Sequence, residues 1–79
     1  MALTITPAEM LALLATVLAG ATDEPAEHWQ AKIGAVEKLP LAINVRCNWT
    51  IAPTGSKREL EAIGKAAEVV RAEYPYVVG

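Results

Sequence analysis

Two side chains carry most of the reactive chemistry available to this chain, His28 and Cys47, and each is the only residue of its type. His28 follows Glu24 by four residues, so on a helix the imidazole and the carboxylate share a face and could meet one metal ion. A third strong ligand is not evident, Glu27 included, and a structural zinc takes four Cys or His ligands. The spacing therefore predicts a surface hydrogen bond or ion pair for His28, and no metal. Cys47 shares the parity of Val45 and Trp49 in an alternating stretch, which predicts a buried, inert thiol. With one histidine in total, neither a Ser–His–acid nor a Cys–His set has its members. The expectation is a protein that is not an enzyme and uses no cofactor.

A second chemistry lies in Thr54-Gly55-Ser56-Lys57-Arg58, where a turn feeds a helix. Free N–H groups at a helix start attract anions, and an adjacent Lys and Arg strengthen that attraction. Gly55, Ser56, Lys57 and Arg58, with Arg46 upstream, form a candidate phosphate or nucleic-acid site. The segment is not a P-loop, since the first glycine and the Gly-Lys-Ser/Thr ending are missing. Ser56 and Glu59 also stand in capping-box register, which would satisfy the same donors internally. The polar row Asn44, Arg46, Asn48 and Thr50 carries no aromatic for base stacking and reads as a solvated sheet face.

The elements that must position these residues are legible from caps and periodicity. Thr6, Pro7 and Glu9 predict a helix start, with Gly20 suited to ending that helix. Thr22-Asp23-Glu24-Pro25 predicts the start of a second helix. Its stripe of Ala26, Trp29, Ile33 and Val36 is closed by Leu39-Pro40. Alternation over residues 43–51 predicts a strand spanning about Leu41 to Ile51. From Lys57 to about Glu73, Leu60, Ile63, Ala67, Val70 and Tyr74 predict a long amphipathic helix. Within it Gly64 costs about 1 kcal/mol against Ala unless a neighbouring element approaches closely. Tyr76-Val77-Val78 predicts a short last strand, parallel to 43–51 through one right-handed crossover. Ala2–Ile5 is a candidate extension of that sheet. The fold class expected is α+β: two N-terminal helices, a central strand, a long amphipathic helix and a short C-terminal strand, in a single domain over 1–79.

Size and composition turn this fold towards association. A chain of 79 residues, 53% hydrophobic and without Phe, has a small core and no disulfide to support it. From Met10 to Ala19 only Thr16 is polar, so apolar residues surround the axis of the first helix, a pattern normal for helices covered on all sides. Leu11, Leu14 and Leu18, or the opposite Met10, Leu13 and Val17, are the expected protein interface, and a homo-oligomer, or another protein as partner, the expected assembly. A net charge of −2 does not suit a phosphate-coating protein. Residues 1–37 hold five acids and one base, whereas residues 38–79 hold four acids and six bases. That asymmetry suits head-to-tail contacts or an anion-preferring patch. The apolar run resembles a signal peptide before Ala19-Gly20-Ala21, but no Lys or Arg precedes it and it is too short to span a bilayer. The reading is a cytoplasmic, non-enzymatic interaction or regulatory module. Its size and acidity are those of an accessory or inhibitor protein of a mobile element, with nucleic-acid or phosphate binding at 54–58 and Arg46 as the alternative.

Overall fold

A computed structural model describes residues 5–40, 42–43 and 46–78. The order is α1 (Pro7–Ala21), α2 (Ala26–Ile33), β1 (Val36–Lys38), β2 (Trp49–Ile51) and α3 (Lys57–Glu73). Three helices and a two-stranded antiparallel sheet make a small α+β fold. None of the helices among the described residues is long and apolar enough to cross a membrane.

Both anticipated capping boxes form. Thr6 Oγ1 accepts from the Glu9 amide, and the Glu9 carboxylate accepts in return from the Thr6 amide. Ser56 and Glu59 repeat the exchange at α3. These are short-range contacts between residues three apart, which is why sequence alone reveals them. The ends of α1 and α2 differ from expectation. Gly20 stays inside α1, which closes one residue later where Thr22 Oγ1 donates to the Leu18 carbonyl at 2.7 Å. Thr22 Oγ1 also accepts from the Trp29 indole at 3.0 Å, joining the end of α1 to the face of α2. α2 starts after Pro25 and ends at Ile33, because Gly34 takes φ 77° and returns its amide to the Gln30 carbonyl. Val36 still reaches the core, but from a strand.

The long strand expected over 41–51 is shorter than predicted, although Leu41, Asn44 and Val45 lie outside the described residues. Ala42 and Ile43 are in a turn, with Ile43 80% exposed, and regular pairing is confined to Val36↔Ile51, Glu37↔Thr50 and Lys38↔Trp49. The Leu39 amide adds one more bond to the Asn48 carbonyl at 2.6 Å. Pro40 follows, and its carbonyl accepts from the Ile43 amide at 3.4 Å where the chain turns.

The ladder expected between the C-terminal segment and β2 is absent among the described residues. Val77 forms a parallel bridge with Ile5, and the Val78 amide donates to the Ile5 carbonyl. The extended character expected at Ile5 is therefore present, while Ala2 to Thr4 lie outside the described residues. Asn48 joins β2 to this segment. Its amide donates to the Pro75 carbonyl, its Oδ1 accepts from the Val77 amide at 2.6 Å and its Nδ2 donates to the Val77 carbonyl at 2.9 Å. A side-chain amide thus supplies the donor and acceptor that a neighbouring strand would have offered. Asn48 is 1% exposed, so the solvated polar face expected through it is corrected: the backbone groups of Val77 draw it inward. The core lies between α1, α2, the sheet and α3, with Met10, Leu14, Trp29, Ile33, Trp49 and Ile63 at its centre.

Candidate functional site

Most of the apolar residues expected to form an interface on α1 belong instead to the protomer's own core. Met10 and Leu14 are fully buried and Leu18 is 2% exposed, while Leu11 is half-buried against the same cluster. The reason is a division by size around the helix. Its long side chains converge on the core, and the outer surface is left to Ala8, Ala12, Thr16 and Gly20. A helix apolar on every side therefore needs no covering on every side. The large apolar side chain that α1 leaves exposed is Val17, at 37%.

Val17 stands on one wall of a groove between the C-terminal half of α1 and the N-terminal two-thirds of α3. The cavity encloses about 400 Å³. Val17, Leu18 and Ala21 face Ala62, Ala66 and Val69 across it. Two alanines on α3 create the space, since long side chains there would fill it. Arg58, Glu61 and Lys65 border it. Val69, 62% exposed, is the most prominent apolar side chain on this surface. Val17 and Leu18, of the residues expected at an interface, do reach the groove. Val69 and the alanines carry no sequence signal beyond their place on the flank of the α3 stripe.

A second, smaller hollow of about 250 Å³ adjoins the groove, sharing Thr22, Arg58 and Ala62 with it. Here His28 lies between two carboxylates. Its Nε2 is 2.7 Å from Glu59 Oε2, and its Nδ1 is 3.7 Å from Glu24 Oε2. The Glu24 pairing follows from the four-residue spacing, whereas Glu59, thirty-one residues away, could be found only in the fold. The two carboxylates approach opposite ring nitrogens, an arrangement for orienting an imidazole and unsuited to one shared ion. No three His, Cys, Asp or Glu among the described residues are grouped to hold a metal. The Ser56 amide holds the Glu59 carboxyl below its ordinary value, and the hydrogen bond with His28 adds to the effect.

The turn at 54–58 starts a helix in which the capping box already engages the Ser56 and Glu59 amides. Gly55 takes φ 136°, and a Cβ there would lie 2.9 Å from Glu59 Oε1. The Glu59 carboxylate thus occupies the approach to the Ser56 amide. Lys57 and Arg58 are exposed. Arg46, also exposed, precedes β2, while Gly55 follows it.

Cys47 is half-buried, less enclosed than expected, and its neighbours explain why. Its thiol contacts the Trp49 carbonyl at 3.4 Å, and Arg71 Nε donates to Sγ at 3.1 Å. The Arg71 guanidinium lies 4.5 Å from the Trp49 ring centroid, a cation–π contact that spreads the long side chain over this corner. Trp49 in turn donates its indole N–H to the Tyr74 carbonyl, fixing the end of α3 to β2. Compared with protein-family models, with curated proteins and with solved structures, the chain finds no match.

Proposed function

We propose that this protein is a small, non-enzymatic protein-interaction module whose working surface is the α1–α3 groove. One observation carries the reading: the groove has an apolar floor of small side chains, a bulky exposed Val69 beside it, and charged residues at its border. Such a surface accepts the apolar stripe of a helix, with specificity from the charged rim. An anion-binding role at residues 54–58 draws less support, because the Glu59 carboxylate lies at the Ser56 amide and the Ser56 hydroxyl takes the Glu59 amide. A regulatory or inhibitory role, in a mobile element or elsewhere, would be exercised through whatever the groove binds.

The test is site-specific photocrosslinking in the cells that make the protein. A benzophenone side chain at Val69 is expected to give a discrete adduct with a polypeptide, and the same group at exposed Glu37 is not. Equal labelling at the two positions, or none at Val69, removes the groove as a docking surface.

A further inference from the structure

The exposed charges of α3 run against the helix's own dipole. The N-terminal end of a helix carries partial positive charge and the C-terminal end partial negative charge, so acids suit the first turn and bases the last. Two charges obey this rule, Glu59 in the first turn and Arg71 in the last. Both are occupied inside the protomer, Glu59 with His28 and Ser56, and Arg71 with Trp49 and Cys47. The solvent-facing charges are reversed: Lys57 and Arg58 stand in the first turn and Glu73 is the last helical residue. Neither Arg58 nor Glu73 has an ion-pair partner among the described residues.

Arg58, Ala62, Val69 and Glu73 also fall within about 60° of one another around the axis, at about 100° per residue. That strip lies along the groove. It reads cation, small residue, bulky apolar residue, anion, and the order is self-complementary when a second copy is laid antiparallel. Arg58 then meets Glu73 of the other copy, and Val69 of each enters the space above Ala62 of the other. The opposed helix ends convert both misplaced charges into favourable ones, since each cation now lies near a negative helix terminus. Lys65 comes close to the two-fold axis, where its stem covers Ala66 of the other copy and its ammonium reaches Glu61 on its own helix.

We infer that the groove's occupant is a second copy of this chain, packed antiparallel through α3 with Arg58 facing Glu73 across a two-fold axis. The inference rests on the groove being a docking surface and adds what fills it. Sedimentation equilibrium from micromolar to millimolar concentration tests it. The unmodified chain is expected to dimerise, and Arg58→Glu to weaken the dimer at least ~10-fold, because symmetry counts the reversal twice. Arg58→Glu combined with Glu73→Arg restores complementarity and is expected to recover most of the affinity. Both substitutions suit the helix dipole, so the variants stay folded, and circular dichroism verifies it. A chain monomeric throughout, or a dimer indifferent to the reversal, overturns the inference. If the chain is monomeric while the Val69 benzophenone captures a different protein, the groove stands and the second copy does not. If nothing is captured either, both fall.

Discussion

Asn48 shows how far a single side chain's role can depart from its pattern. It occupies a polar position in an alternating run, yet it is buried and bonded to both backbone groups of Val77. Replacing it with Ala leaves a buried donor and acceptor without partners, and roughly 2–4 kcal/mol of stability should be lost. Urea denaturation at neutral pH measures this, and a loss below about 0.5 kcal/mol, the range of ordinary surface changes, contradicts the bonding described. Asn48 also begins the sequon Asn48-Trp49-Thr50, but an amide so engaged is closed to glycosylation in the folded protein. Glu59 gives a pH prediction. Its folded pKa lies below the ordinary 4.5, so folding favours the ionised carboxyl. That contribution is complete above the ordinary value and disappears as pH falls through the lower folded value. The urea midpoint should therefore decline between about pH 5 and pH 3, and less steeply in Glu59→Gln. Glu9, lowered chiefly by the Thr6 amide, keeps part of the slope in that variant. Identical slopes in the two proteins would remove Glu59 from the account.

Among the elements, those with local causes match their sequence signals best. Both capping boxes connect residues three apart, and α3 begins and ends within a residue of expectation. Strand pairing depends on distant partners, and there the alternation over 43–51 misleads. β1 lies where the apolar stripe predicts the end of α2, and Gly34 is the residue in the chain that marks the earlier stop. Gly64 belongs to this scale as well. A close neighbour was expected to offset its cost, yet a Cβ placed there meets nothing within 4 Å, and the position is exposed. It also lies well away around α3 from the strip holding Arg58 and Val69. Gly64→Ala should raise stability by up to about 1 kcal/mol, read as a higher melting temperature, and leave association unchanged. A destabilised variant, or one altered in association, places an unrecognised contact at that position.

At the scale of the molecule, the apolar excess is resolved by arrangement, not by an oily exterior on α1. Long side chains from α1, α2, the sheet and α3 share one core, and the small residues of α1 face water. Part of the exposed apolar surface lies at the groove, where Val17 and Val69 flank alanines. The anticipated association through α1 thus becomes, in the present proposal, association through α1 and α3 together. If two copies meet there, folding stability rises with protein concentration, since the dimer binds only the folded chain. The acidic first half and basic second half add little to this picture. The charges that matter are Arg58 and Glu73, at opposite ends of one helix.

Helix starts, the amphipathic stripe of α3 and the α+β class were written in the sequence, because caps and periodicity act between residues three or four apart. The same is true of the Glu24–His28 pair. Tertiary structure alone decided that Met10, Leu14 and Leu18 face inward, that Asn48 serves Val77, and that His28 meets Glu59. Each of those outcomes depends on which distant surface arrives opposite a residue, and a linear pattern records a side chain's polarity without recording its neighbour. The groove is the plainest case: Ala62 and Ala66 are unremarkable in the chain, and become a recess only when α1 stands across from them.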